Sequence, residues 1–520
     1  MDIQLQNSLA NSLRWRCKNS AEDIAIKFLD REQTYSEFDN NSNLVAQGLL
    51  KFGIKEDTRV AYLAKNTDYF FEIFYGALKT RSVVVGVNWR LTANEVAYVL
   101  EDSKSEVVFV GPEFFEIIET IKDRLSSLKN IVCLDKDHSD WISYETWRDS
   151  QENKDPLAES TKDDDVIQLY TSGTTGNPKG VQLTNKNFRS ATESTIELIP
   201  FSSGSNSMVC MPVYHIAGTN WGIWGLLQGC KNIIIPEVEP GLILDLVEKE
   251  KVELVLWVPA VILFLLQHPN ASKTDFSSLK MVMYGASPIA EDTVTKAIEL
   301  MDCGFYQVYG LTETTGAITI LSAEDHPVDK GKLRSCGKPL PGVEIKIVGE
   351  EGEDVSQGKV GEIITKSNLN MKGYWNNEKA TLESIKNEWF YSGDVGYYDE
   401  EGYLYIHDRV KDMIVSGGEN IYPAEVENAL MSNPHILDAA VIGIPDEKWG
   451  ESTKGFVVLD ADNALTEEEI ISYTKEKIAS YKCPKSINFI KELPRNPSGK
   501  VLRRELRDPF WKDQERGVGG

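Results

Sequence analysis

Short apolar runs recur along the chain at Val107–Val110, Val166–Tyr170, Ile233–Ile235, Leu254–Val258 and Met281–Tyr284. Each is of strand length and reads as a strand buried on both faces. Between them lie stretches of helical period, such as Ala217–Leu227 and Ala290–Cys303. This alternation predicts an α/β protein with sheets flanked by helices. At 520 residues, 41% hydrophobic and 26% charged, the chain has the usage of an ordinary globular protein, so disorder is excluded as its main state.

The texture changes near Val343. There Val343, Ile345 and Ile347 alternate with polar residues, and a Gly/Glu-rich turn leads to Ile363 and Ile364, a hairpin pattern. A second change follows Tyr403–Asp408. Pro423–Met431 reads as a helix, Ala440–Ile444 and Phe456–Leu459 as strands, and Thr466–Tyr481 as a helix opened by the capping pair Thr466 and Glu469. These patterns predict a large N-terminal domain at 1–408 and a small α+β domain at 409–520. No low-complexity linker lies between them, so a short hinge is expected.

Charge and cysteine usage exclude several classes. Lys and Arg number 55 against 80 Asp and Glu, a net charge of −25. That balance argues against nucleic acid as the main partner, although a local basic pocket for one anion stays compatible with it. Seven scattered cysteines form no Cys-x-x-Cys pair, and the six histidines are equally dispersed, so neither a disulfide framework nor a zinc cluster is indicated. Met1–Ser20 lacks the apolar core of a secretory signal. The longest apolar run, Leu254–Leu266, contains Pro259 and is shorter than the roughly 20 residues a spanning helix needs. A cytoplasmic protein without integral membrane association is expected; a homodimer stays open.

The sharpest local feature is Tyr170-Thr171-Ser172-Gly173-Thr174-Thr175-Gly176-Asn177-Pro178-Lys179-Gly180, directly after an apolar strand. Its three glycines let backbone approach a ligand closely, and successive amides in such a loop form an anion-binding concavity. Hydroxyls and one ammonium surround them, a composition suited to polyphosphate. In a Walker loop Lys follows the last Gly and precedes Ser or Thr; here Lys179 precedes Gly180 and Val181 follows.

This string resembles the signature loop of the adenylate-forming superfamily, which comprises acyl-CoA synthetases, luciferases and peptide-synthetase adenylation domains. Further segments match in order. Pro212-Val213-Tyr214-His215 is similar to the family's aromatic-histidine segment at the acyl pocket, and Tyr284-Gly285-Ala286-Ser287 to its adenine-side loop. Tyr309-Gly310-Leu311-Thr312-Glu313-Thr314 resembles its Tyr-Gly-x-Thr-Glu motif, and Tyr391-Ser392-Gly393-Asp394 its ribose-binding segment. Asp408–Asp412 and Ser416–Pro423 resemble its hinge and glycine loop, and Asn496-Pro497-Ser498-Gly499-Lys500 its C-terminal lysine loop. Within the superfamily, Gly-Gly-Glu-Asn-Ile-Tyr-Pro looks most like fatty-acyl-CoA synthetases.

The resemblance implies an ATP-dependent, AMP-forming acid–thiol ligase. A carboxylate attacks the α-phosphate of ATP, pyrophosphate leaves, and a thiol displaces AMP. Both partners of the first step are anions, so positioning and charge neutralisation dominate. The resemblance assigns ATP to Thr171, Ser172, Gly173, Thr174, Thr175, Gly176 and Lys179 on the phosphates, and to Gly285, Ala286, Ser287, Tyr309, Gly310, Leu311 and Thr312 on the adenine side. It assigns the ribose to Asp394, with Ile406 and Arg409 beside it. Thr171 and Glu313 would share Mg²⁺, a hard cation suited to oxygen ligands and phosphate. Lys500 would bridge the carboxylate and α-phosphate, and Lys411 would be the hinge. Ser416, Gly417, Gly418 and Glu419 would meet CoA once the small domain rotates. His215 would gate or shape the carboxylate site rather than serve as a base, because the acid is already ionised near pH 7.

The acyl pocket is expected from His215, Ile216, Thr219, Asn220, Trp221 and Trp257. Trp221, Trp224 and Trp257 supply bulk, although at least one should be plain core, and Ala217, Gly218 and Gly222 supply space. No Arg or Lys occurs in Ile216–Leu227, which favours a monocarboxylate over a dicarboxylate. A medium- or long-chain fatty acid ligated to CoA is the leading reading. Alternatives are an aromatic or other small monocarboxylate, loading of a carrier-protein thiol, luciferase-like oxidation, and an inactive acyl-nucleotide-binding regulator. The intact set Lys179, Glu313, Asp394 and Lys500 speaks against the last.

Overall fold

In a computed structural model the described residues are 6–171, 178–287, 289–349, 352–409, 412–416, 419–446, 449–460, 465–478, 480–495 and 501–511, with backbone alone at 407–409, 415, 419, 420 and 450. They form an α/β protein with a large N-terminal and a smaller C-terminal domain. Four sheets are present among them.

Two large sheets carry the N-terminal domain. In the nine-stranded sheet the order is Lys338–Pro339, Gly316–Leu321, Gly304–Leu311, Met281–Gly285, Leu254–Trp257, Asn206–Val209, Lys231–Ile234, Ile24–Phe28 and Arg31–Thr34. In the eight-stranded sheet it is Gly373–Tyr374, Lys179–Thr184, Asp165–Thr171, Val83–Gly86, Arg59–Leu63, Val107–Val110, Asn130–Cys133 and Ile142–Ser143. The central pairings of both are parallel. Parallel strands are covered by crossover helices on both faces, which explains why Arg59–Leu63, Val107–Val110 and Met281–Gly285 are buried at every position. The anticipated apolar runs all become strands, within a residue or two at each end.

The expected hairpin forms: Glu344–Val348 pairs antiparallel with Gly361–Lys366, in a sheet that also holds Trp389–Tyr398 and Leu404–Arg409. The fourth sheet, built from Ile414–Ser416, Glu419–Ile421, Ile436–Asp446, Gly450–Leu459 and Ser486–Phe489, has its own apolar core around Ile414, Val426, Leu430, Val457 and Ile470. Thr466 caps the helix Glu467–Lys477 with the capping box read from the sequence. That helix is shorter than expected. Ile478 turns extended and packs against the core instead of continuing it.

All seven cysteines are free thiols, six of them buried. No helix of the described residues is long and apolar enough to cross a membrane.

Candidate active site

The phosphate-loop stems are fixed before any ligand is considered. Thr171 ends one strand and Lys179 begins the next, and the two are register partners of an antiparallel pair. Loop residues 172–177, including the expected Ser172, Gly173, Thr174, Thr175 and Gly176, lie outside the described residues. Both stems are pinned from outside. The Tyr170 hydroxyl donates to Asp102 at 2.6 Å, Tyr98 donates to the Pro178 carbonyl at 3.2 Å, and the Trp375 amide donates to the Gly180 carbonyl at 2.7 Å.

Glu313 reaches the same place from the other large sheet. Gly304–Leu311 turns through a 3-10 segment, Thr312–Thr314, into Gly316–Leu321. Gly310 is required here, because a Cβ would lie 1.7 Å from the Gly316 carbonyl oxygen. The turn brings the buried Glu313 carboxylate within 3.3 Å of the Thr171 hydroxyl. The Tyr374 hydroxyl donates to the same oxygen, Oε1, at 3.0 Å, and the Lys179 ammonium sits 4.7 Å from the centre of the Tyr374 ring.

The ribose-side candidates also converge. Tyr309 donates its hydroxyl to Asp394 Oδ2 at 2.8 Å. Burial, with Asp394 beside it, raises the Tyr309 hydroxyl well above its usual pKa, so it stays a proton donor. Ser392 Oγ accepts the Asp394 amide at 3.0 Å, and Glu362 accepts the Gly393 amide at 3.0 Å, which holds the irregular, left-handed position of Gly393 (φ 69°) within the strand Trp389–Tyr398. Burial raises the Glu362 carboxyl.

A cavity of about 890 Å³ opens along this side. Its walls include Ala286, Ser287, Tyr309, Gly310, Asp394 and Ile406 of the predicted set, together with Asn428, Lys477 and Arg503 of the smaller domain. That size is within the range of small-molecule sites. Gly285 allows its strand to lie tightly against the next, since a Cβ would fall 2.2 Å from the Val308 oxygen, and Ala286 follows in the left-handed region at φ 69°. Leu311 ends the strand Gly304–Leu311 and Thr312 opens the turn that follows.

His215 caps the helix Ile216–Gln228: Nδ1 accepts the Ala217 amide at 3.2 Å, which leaves the ring proton on Nε2. The residue is half-buried, and desolvation by the surrounding protein pushes its pKa down to about 4. The imidazole is therefore neutral near pH 7. Asn220, one turn on, donates to the Thr315 carbonyl at 2.9 Å and ties this helix to the Glu313 turn.

The other acyl-side expectations fare differently. The space foreseen at Gly218 and Gly222 is filled. A Cβ on Gly218 would meet the Met211 and Pro212 carbonyls at 2.3 Å, and one on Gly222 would meet the Phe71 ring at 2.2 Å. These glycines serve close helix packing, not a ligand. Trp221 is plain core, donating to the Met208 carbonyl at 3.0 Å against the Phe201 ring. Thr219 spends its hydroxyl on the Val213 carbonyl, and Ile216 and Trp257 are buried in apolar clusters.

Lys411, Gly417, Gly418 and Lys500 lie outside the described residues, as do the side chains of Arg409 and Glu419; Ser416 ends a strand of the fourth sheet. Sequence reasoning missed Tyr374 and Glu362. Neither sits in the motifs that drew attention, and each acts through a contact set by tertiary structure.

Residues 13–375 match the family model described as AMP-binding enzyme, and residues 425–500 match the model of its C-terminal domain. The chain belongs to the AMP-binding enzyme family. A fatty acid–[acyl-carrier-protein] ligase of Streptomyces coeruleorubidus is 36% identical over 99% of this chain and 98% of its own. A long-chain-fatty-acid–CoA ligase of Mycobacterium tuberculosis is 35% identical over 92% of this chain and 94% of its own. The crystal structure of an anthranilate CoA ligase in complex with anthranoyl-AMP superposes with a TM-score of 0.92 at 26% identity, covering 98% of both chains. This AMP-binding enzyme is an ATP-using, AMP-forming acid–thiol ligase.

Proposed function

We propose that the protein activates a medium- or long-chain fatty acid as its acyl-adenylate and transfers the acyl group to the thiol of CoA. One carboxylate oxygen of the acid bonds to the α-phosphorus of ATP as pyrophosphate departs. The thiol sulfur then bonds to the acyl carbon, AMP leaves, and the thiol proton goes to solvent. The observation that carries this reading is the meeting of Thr171 with Glu313 at 3.3 Å, in a chain where Tyr309 holds Asp394 at 2.8 Å beside an open cavity.

Thr171 and Glu313 suit Mg²⁺. They offer hard oxygen donors, and among the described residues no group of three or more His, Cys, Asp or Glu could hold a metal by itself. The remaining ligands would be phosphate oxygens and water, the usual arrangement for this ion. Bound there, Mg²⁺ would neutralise charge on the transferring phosphates. Lys179 supports the β- and γ-phosphates. Gly285, Ala286, Ser287 and Tyr309 border the adenine, while Asp394, with Ile406 and Arg409 nearby, takes the ribose hydroxyls. Lys500 bridges the acid and α-phosphate during adenylation. The division at 408/409, with Lys411 as hinge, lets Ser416, Gly417, Gly418 and Glu419 replace Lys500 for CoA. Neutral His215 offers Nε2–H to the carboxylate region without adding a competing cation.

Carrier-protein loading is the second reading, favoured by the near full-length similarity to a carrier-protein ligase. Pyrophosphate release on adding ATP, MgCl₂ and a panel of acids tests the adenylation step. Release that peaks with apolar medium- or long-chain monocarboxylates is expected. A peak with a short aromatic or dicarboxylic acid would overturn the fatty-acid assignment. Thioester appearing with CoA supports the leading reading; thioester appearing with a phosphopantetheinylated carrier protein alone supports the second.

A further inference from the structure

Three strands place three chemically distinct side chains together. Thr171 and Lys179 face each other across the loop stems. The short strand Gly373–Tyr374 adds to the outer edge of the second stem, with Tyr374 opposite Val181. Tyr374 is thus the diagonal neighbour of Lys179, a geometry that brings long and aromatic side chains into contact. Its ring lies under the Lys179 ammonium at 4.7 Å, and its hydroxyl donates to Glu313 Oε1 at 3.0 Å. Tyr374 and Glu313 are both about nine-tenths buried, at 8% and 9% exposure. Backbone bonds lock the strand in place: the Met371 amide donates to the Glu313 carbonyl at 2.7 Å, and the Trp375 amide donates to Gly180.

We propose that Tyr374 is a positioning residue for adenylation, its hydroxyl aiming the Glu313 carboxylate and its ring holding the Lys179 ammonium beside the phosphate loop. The two functions are separable because they use different parts of one side chain. Fixing Oε1 through the hydroxyl orients the carboxylate that faces Thr171, so Glu313 does not need to find that orientation when the cation arrives. The ring face attracts the ammonium through its quadrupole without neutralising it, which leaves the full positive charge for phosphate. A carboxylate in the ring's place would pair with Lys179 and compete with the nucleotide.

This rests on the reading of Thr171, Glu313 and Lys179 given under Proposed function, and the test separates the two. ATP binding to the full chain is titrated calorimetrically without acid, first metal-free and then with rising MgCl₂. In Tyr374→Phe the metal-free affinity stays within about twofold of the parent, while the gain from Mg²⁺ falls about tenfold, the scale of one hydrogen bond to a charged group. The Mg²⁺ needed for half-maximal pyrophosphate release rises by the same factor. Thioester formation from supplied acyl-adenylate stays within about twofold. Tyr374→Leu, which also removes the ring, weakens metal-free ATP binding about threefold to fivefold. A Phe variant with the parent's Mg²⁺ dependence overturns this inference alone, as does equal loss of both half-reactions. A parent that gains nothing from Mg²⁺ overturns the reading of Thr171 and Glu313 as well.

Discussion

The proposed nucleotide side and the proposed acyl side of this enzyme are built by different rules. On the nucleotide side, side-chain oxygens meet in pairs, Thr171 with Glu313 at 3.3 Å and Tyr309 with Asp394 at 2.8 Å. On the acyl side, the helix Ile216–Gln228 is buried along nearly its whole length, and its glycines are filled by Phe71, Asn232 and the backbone of Met211 and Pro212. Binding a polyphosphate demands particular donors and acceptors. Enclosing an apolar chain demands only volume, which many side chains supply in many combinations.

The sharpest way to break that contrast is to remove charge on the nucleotide side. Glu313→Gln keeps the size of the side chain and an acceptor for Tyr374 while deleting the anion. Pyrophosphate release should fall on the order of 100-fold, the scale of losing one preorganised electrostatic group. A fall of less than threefold would mean that Glu313 does not face the reacting phosphates.

Gly218→Ala probes the acyl side. If the glycine serves packing, the added Cβ should cost about 1–3 kcal/mol of stability in chemical denaturation and leave the ratio of kcat/KM between long and short acids unchanged. Intact stability together with selective loss of long acids would return Gly218 to the substrate cavity.

The smallest effect concerns His215. Its folded pKa, about 4, lies below the usual value near 6.5. As pH falls below about 6.5 the unfolded chain takes up a proton that the folded chain refuses until about pH 4. The stability contributed by neutral His215 is therefore complete above about 6.5 and is lost across that window. His215→Asn keeps an acceptor at the helix start, so the thermal midpoint of the variant should gain on that of the parent as pH drops from 6.5 to 4. A constant difference would contradict the neutral imidazole.

The same contrast explains what could be read from the chain. The strands Val107–Val110 and Met281–Gly285, the hairpin at Glu344–Lys366 and the Thr466 capping box are local patterns, visible because two-residue and helical periods are written in neighbouring residues. Glu313 and Asp394 stand out as candidates because each sits in a run of special residue types, and the fold brings them to Thr171 and Tyr309. Sheet order was not: Ile24–Phe28 lies beside Lys231–Ile234, an adjacency with no local sign. Gly218 and Gly222 look the same in a sequence whether they make room for a substrate or for Phe71. Tyr374 is an aromatic among many until the edge strand brings it to Glu313.

That edge strand also bears on the order in which the molecule is made. Its neighbour Trp375 is bonded to Asp102 across 273 positions, and Lys372 to Asp165 across 207. Contacts of such separation close late in folding, after local helices and hairpins have formed. During synthesis the phosphate loop emerges long before the residues that steady it. The nascent chain therefore carries this loop without the ring and hydroxyl of Tyr374 beside it, and gains those contacts only when one short strand docks onto the growing sheet.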